Sequence, residues 1–194
     1  MAKREINPQQ KMDKVIRSAR TLFVSRGYHN VSIPQIVDDS GVSIGAIYHH
    51  FGNKEGLARN VHEQTLEQFQ IWLEDALRDC HSVRQKLRAF SRLVLKTTEH
   101  DPEMMEYMLL IKHGEFLTDV PPICSTEPFT RIQEIIAEGI ARGELRKGDC
   151  LLAAIAFTGV ITRAVELHLS GVLGRQLTDI ESNLFDYAWA SIAA

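Results

Sequence analysis

Apolar residues recur along this chain at three- and four-residue intervals almost throughout, and strict strand-like alternation is nearly absent, so the pattern predicts helices. Met12, Val15, Ile16, Ala19, Leu22 and Phe23 fall on one face, Asn7 and Pro8 read as cap and first turn, and Gly27 reads as the stop. Ser32 followed by Gln35 reads as a capping box for a second, very short helix. Pro34 is tolerated in its first turn, Ile33, Ile36 and Val37 give its buried side, and Gly41 ends it. Ser43 is expected to cap a third short helix through His50. Asn53 is expected to cap a long fourth through Leu57, Val61, Leu66, Phe69, Leu73 and Leu77.

The remainder continues in the same manner. Ser82 with Gln85 opens a fifth helix, with Val83, Leu87, Phe90, Val94 and Thr97 inward, ending near His100. Asp101 and Pro102 cap a sixth, whose stretch "DPEMMEYMLLIKHGEF" reaches Phe116, and Thr118 to Ser125, with Pro121 and Pro122, reads as a loop. A seventh is expected from Glu127 to Arg142, buried through Phe129, Ile132, Ile136 and Ile140 and closed by Gly143. Asp149 caps an eighth, "CLLAAIAFTGVITRAVELHL", apolar on most of its circumference. Thr178 with Glu181 reads as a capping box for a ninth, through Ile180, Leu184, Tyr187, Ala188 and Ile192. The expected fold is all-α, about nine helices, with a three-helix head in residues 1–52 and a larger helical body in residues 53–194.

Composition narrows the class. With 194 residues, 44% of them hydrophobic, the chain can bury a sizeable core. Its start is charged throughout and does not read as a signal peptide, and no run is read as approaching the roughly 18 apolar residues that span a bilayer. A cytoplasmic protein with no membrane partner is the expectation. Cys80, Cys124 and Cys150 are widely spaced with no CxxC pair, which argues against a disulfide framework and against structural zinc. The formal charge of −3 conceals an asymmetry: residues 1 to 60 carry nine basic and five acidic side chains, whereas the rest carries thirteen and twenty. A basic head on an acidic body suggests that the head meets a polyanion, although chance unevenness on solvated helix faces gives the same count.

The two short helices joined by a tight turn at Asp39 to Val42 fit a helix-turn-helix, whose second helix enters the major groove. Ile47 and Phe51 then point inward, and Ile44, Gly45, Ala46 and Tyr48 face outward. Tyr48, His49 and His50 can donate hydrogen bonds to phosphates or base edges, and Gly45 permits close backbone approach. Asn53 and Lys54 begin the next helix, where free N–H groups and an ammonium suit a phosphate. The bland alternative for His49 and His50 is two half-buried polar residues. A shared metal ion is disfavoured, because adjacent helical positions diverge by about 100°.

These residues carry a resemblance. "VSIPQIVDDSGVSIGAIYHHFGNKEGL", with "RSARTLFVSRGYHN" upstream, resembles the DNA-binding domain of the TetR family of transcriptional regulators over about the first 60 residues. The resemblance implies a homodimer on a palindromic double-stranded DNA operator, usually a repressor that a small-molecule effector releases. It implies that Ser32 caps the second helix and touches phosphate. By the same resemblance Ser43, Ile44, Gly45, Ala46 and Tyr48 face bases, while Tyr48, His49, His50 and Lys54 hold the backbone. Two departures stand out: Pro34 is uncommon so early in that helix, and Ile44 is apolar where many relatives are polar, pointing to contact with a thymine methyl.

The body is read for itself. The eighth helix has more apolar face than one core uses, with Leu152, Ile155, Ala156, Gly159 and Val160 beside Arg163, so a partner surface is expected. With Leu184 and Ala188 of the ninth helix it resembles the pair from which family dimers build a four-helix bundle. A fully buried central helix in a monomer is the alternative. Met104, Met105 and Met108, three of five methionines, sit near His113 and Phe116 in sequence, and with Phe69, Leu73 and Phe90 they form a candidate wall for an apolar or aromatic guest. A plain methionine-lined core fits the same pattern. No cofactor is implied. Without GxSxG, HExxH or a phosphate loop, and with His62, His81, His100, His113 and His168 scattered, an enzyme is not expected. The competing class is a helical protein-interaction module that does not bind DNA.

Overall fold

The computed structural model describes residues 8–194. Among them the regular structure is helical: α1 (Pro8–Arg26), α2 (Ile33–Ser40), α3 (Ile44–Phe51), α4 (Lys54–Leu77), α5 (Val83–His100), α6 (Pro102–Leu109), α7 (Glu127–Arg142), α8 (Cys150–Leu169) and α9 (Glu181–Ala190). Short 3-10 turns and an isolated antiparallel bridge between Leu145 and Ala193 complete it. The chain forms two compact units, the first running to Thr65 and taking in Ile111–Val120, the second comprising Leu66–Leu110 and Pro121–Ala194. The division thus falls inside α4 and not between residues 52 and 53.

In the first unit, α1 buries Val15, Ala19 and Phe23 completely, and Ile36 of α2 and Ile47 of α3 complete the core. Gln35 Oε1 accepts from the Ser32 backbone N–H at 2.7 Å and the Ser32 hydroxyl at 3.0 Å, fixing the start of α2. Gly41 ends α2 at φ 69°, a left-handed cap that L side chains adopt poorly and that turns the chain sharply into α3. The Asn53 side chain caps α4 by accepting from Gly56 N at 2.7 Å, and a Cβ at Gly56 would collide with the Phe51 carbonyl. The expected cap at Asn7 lies outside the described residues.

The sixth helix is shorter than the sequence suggests. It stops at Leu109, the chain leaves helical geometry at Lys112, and a 3-10 turn follows at His113–Glu115. Gly114 weakens any continuation, and His113 and Leu117 instead find burial in the first unit. Arg59 donates to the Thr118 carbonyl at 3.0 Å, Tyr28 stacks on Phe116 at 4.2 Å between centroids, and the rings of His62 and His113 lie 4.4 Å apart. The excursion Ile111–Val120 is therefore tied to this unit by side chains from Tyr28 to His62.

The second unit has one contiguous core, from Phe69, Leu73, Leu87 and Phe90 through Met104, Met105 and Met108 to Ile136, Phe157 and Phe185. The Ser82 and Gln85 box on α5 and the Asp149 cap on α8 form as expected. Thr178 does not cap α9. It begins a 3-10 turn, its N–H donates to Glu99, and Glu181 instead pairs with Arg88 at 3.2 Å and Arg92 at 3.3 Å. On α7, Ile135 and Gly139 are buried where Phe129 and Ile140 are only half so. Contrary to expectation, α8 is long and apolar enough to cross a membrane by length and composition, but Phe157, Ile161 and Val165 sit fully buried in this unit's core. Cys80 and Cys150 are half-buried free thiols, and the Cys124 side chain lies outside those described.

Burial, then the Arg59 charge, holds His62 below the usual histidine range, and burial, then His62, brings His113 down to about 4. The unfolded chain takes up these protons near pH 6.5 and the folded chain only at lower pH, so stability is present above about pH 6.5 and falls as pH drops toward 4. Thermal melts between about pH 7.5 and 4.5 should show a progressive loss of Tm that a His113→Gln variant shares less. Parallel pH profiles for the two proteins would contradict this assignment.

Candidate nucleic-acid interface

The face that α3 presents follows from two anchors. Ile47 is fully buried and Phe51 nearly so, four residues apart on one side, which turns Ile44 and Tyr48 outward at 45% and 47% exposure. Ser43, Gly45, His49 and His50 are exposed and Ala46 is half-buried. The exposure of both histidines removes the half-buried alternative. Ser43 precedes α3 with extended geometry, but its hydroxyl makes no capping bond; its carbonyl accepts from Ala46 and Ile47 instead. Nothing lies within 4 Å of a Cβ placed on Gly45, so the backbone there is open to an approaching surface. Ser32 is exposed at the start of α2.

Lys54 has a partner that the sequence reading did not supply. Its ammonium sits 4.1 Å above the centroid of the Tyr28 ring, which also stacks on Phe116 and meets the rings of Phe23 and His29. Burial lowers the Lys54 pKa, and burial, then Glu55, raises that of Tyr28. Tyr28 belongs to this site as a support for Lys54. The available signal was an aromatic residue directly after the helix stop at Gly27, in "RGYHN".

The candidate ligand residues do not form one group. Phe69, Leu73, Phe90, Met104, Met105 and Met108 are at most 2% exposed and packed in the second unit's core, whereas His113 and Phe116 belong to the first unit. The early end of α6 separates them. The second unit does carry an open cleft of about 460 Å³ along the end of α4 and α5, with Ala76, Cys80, Ala89, Arg92 and Lys96 among its lining. Its residues are spread over two helices and a turn, so no local sequence pattern marks it.

The outer face of α8 exposes Leu151, Leu152 and Ile155 at 49%, 64% and 56%, with Ala156 and Gly159 beside them. Val160 and Leu184 are half-buried, and exposed Arg163 pairs with Glu166 at 2.6 Å. Ala188 is a correction: it is fully buried in its own unit's core and offers no surface to a partner, while neighbouring Tyr187 is 70% exposed. The helical phase of α9 is set by Phe185, which the apolar spacing did not single out.

Residues 15–61, which hold most of α1, all of α2 and α3 and the start of α4, match the sequence profile of the bacterial regulatory proteins, tetR family. The transcriptional regulator QacR of Staphylococcus aureus is 30% identical over 168 residues, covering 81% of this chain and 88% of its own length. The transcriptional repressor KstR2 of Mycolicibacterium smegmatis is 26% identical over 148 residues, covering 72% and 69% respectively. Among solved structures, FadR of Bacillus subtilis in complex with stearoyl-CoA superposes with a TM-score of 0.74 at 20% identity, over 92% of this chain and 98% of that one. A TetR family regulator from Marinobacter aquaeolei gives 0.81 at 18% identity, over 94% and 95%. A helix-turn-helix with its second helix exposed and a likeness to QacR along nearly its whole length lead to one assignment: the chain belongs to the tetR family of bacterial regulatory proteins and is a transcriptional regulator.

Proposed function

We propose that the protein is a repressor that holds a palindromic DNA operator as a homodimer and lets go when a largely apolar small molecule binds its body. The observation that carries the DNA reading is the outward face of α3, where Ile44, Gly45 and Tyr48 are solvent-exposed while Ile47 and Phe51 are spent on the core. In this reading the first unit, including the start of α4, binds DNA, and the second unit binds the effector and dimerises. Ser32, His49, His50 and Lys54 hold phosphates, and Ser43 to Ala46 with Tyr48 meet base edges, Ile44 through a thymine methyl. The repressor name of KstR2 supports the sign of regulation, and the stearoyl-CoA held by the B. subtilis FadR supports an effector with a long apolar part.

Dimerisation is assigned to α8. Leu152, Ile155, Ala156 and Gly159 repeat at three- and four-residue intervals along an uncovered apolar stripe, with half-buried Val160 and Leu184 and exposed Arg163 at its margins. Ile155→Glu should therefore give a monomer by light scattering and lose binding to a two-half-site duplex. A dimer of undiminished affinity would move the interface elsewhere.

Two variants separate roles on the DNA face. Lys54→Ala should weaken binding to all duplexes alike and lower the magnitude of the slope of log affinity against log salt by about 0.9 per protomer, or about 1.8 for the dimer, whereas Ile44→Gln should change base preference and leave the slope intact. The opposite assignment of effects would overturn these roles. Affinity of the wild type that does not depend on salt would favour the protein-interaction reading.

The effector wall is assigned to the methionine cluster of the second unit, which is closed here and has to open for a guest. Met108→Trp should overpack the cluster and obstruct that opening at a stability cost of about 1 to 3 kcal/mol. The variant should still dimerise and bind DNA, but stearoyl-CoA, which should release the wild type, should no longer release it. Full release of Met108→Trp would place the guest elsewhere, and no release of the wild type would exclude this class of effector.

A further inference from the structure

A cavity of about 290 Å³ opens where α1 meets the turn between α2 and α3, and its lining joins two lysines to the reading helix. Lys11 and Lys14, one helical turn apart and exposed, supply one wall; Ser40, Ser43 and Ala46 supply the other. Neither ammonium is in an ion pair with a described residue, in contrast to Lys54, which is seated on Tyr28. The carboxylates nearest in sequence, Asp13, Asp38 and Asp39, take no part in the lining, and Asp13 accepts from Gln9 at 3.1 Å. Both hydroxyls have hydrogens to give. Ser40 Oγ accepts from Val42 N at 3.2 Å, which holds the oxygen in place and leaves its hydrogen free, and the Ser43 hydroxyl has no capping duty.

Two unpaired cations, two hydroxyl donors and no carboxylate around a space of this size suit a small tetrahedral oxyanion. Ser43 and Ala46 also belong to the face assigned to the bases, so the anion that reaches the cavity is part of whatever α3 touches. We infer that this cavity receives a phosphate of the operator backbone, flanking the bases that α3 reads, and that Lys11 and Lys14 contribute a large part of the electrostatic affinity. The inference rests on the DNA reading proposed above. Its physical consequence is a fixed docking angle: a phosphate gripped at α1, in addition to one held at Lys54, leaves α3 less freedom to roll in the groove.

The test compares the full-length wild type with Lys11→Ala/Lys14→Ala on a selected operator and on an unrelated duplex, from 50 to 200 mM salt. The double variant should lower the magnitude of the salt slope by about 1.8, so its loss of affinity across that range should be about ten-fold smaller than that of the wild type. Both duplexes should be weakened in parallel, with dimer mass and Tm unchanged. A duplex series carrying one neutral methylphosphonate at a time should penalise the wild type at one or two backbone positions per half-site where it no longer penalises the double variant. An unchanged slope, or an altered base preference, would overturn the inference while leaving the DNA reading intact. A wild type that binds neither duplex would overturn the DNA reading itself.

Discussion

Burying Ile47 and Phe51 sets the rotational phase of α3, because two anchors four residues apart leave a short helix no freedom to turn about its axis. The exposed face follows from that constraint alone. The segments around α3 serve the same end: Gly41 takes the left-handed conformation that brings α3 round against α2, and Gly56 lets the start of α4 approach the Phe51 carbonyl. An eight-residue helix has little stability of its own, so its order derives from these contacts.

Two stretches of chain connect the units and give the regulatory scheme its physical basis. One is α4, uninterrupted past Thr65 and Leu66; the other leaves α6, enters the first unit at Ile111 and returns at Pro121. The second is held by ring contacts, Tyr28 with Phe116 and His62 with His113, so that Lys54, Tyr28 and Phe116 form a stack leading from the first turn of α4 to a segment that α6 positions covalently. In the proposed scheme, an effector among the methionines of α6 would act on both stretches at once. Coupling of this kind shifts DNA affinity by the effector's preference for one arrangement over the other, typically about 1 to 3 kcal/mol.

Much of this was legible in the sequence, for identifiable reasons. Caps at Ser32, Ser82, Asp101 and Asp149 and stops at Gly27, Gly41 and Gly143 are local signals, and the helix ends fall at or beside them. The outward face of α3 was legible because its anchors lie within one turn. What failed depended on distant partners. The apolar run after Met108 looked continuous, but His113 and Leu117 are buried in a different unit from Met105, and no local pattern encodes that. Thr178 and Glu181 had capping-box spacing, yet two arginines on α5 claimed the carboxylate. The Lys54 contact with Tyr28 joins residues far apart in sequence, and the Lys11 and Lys14 cavity needs α1 placed against the turn before it exists.

The central claim is that a symmetric pair of α3 helices reads DNA. Selection from a pool of random duplexes by the purified wild-type protein tests it most directly. The account predicts enrichment of a palindrome whose half-site centres lie roughly 34 Å apart or at a multiple of that spacing; a pool with no enriched sequence, or one enriched only for isolated half-sites, would contradict it.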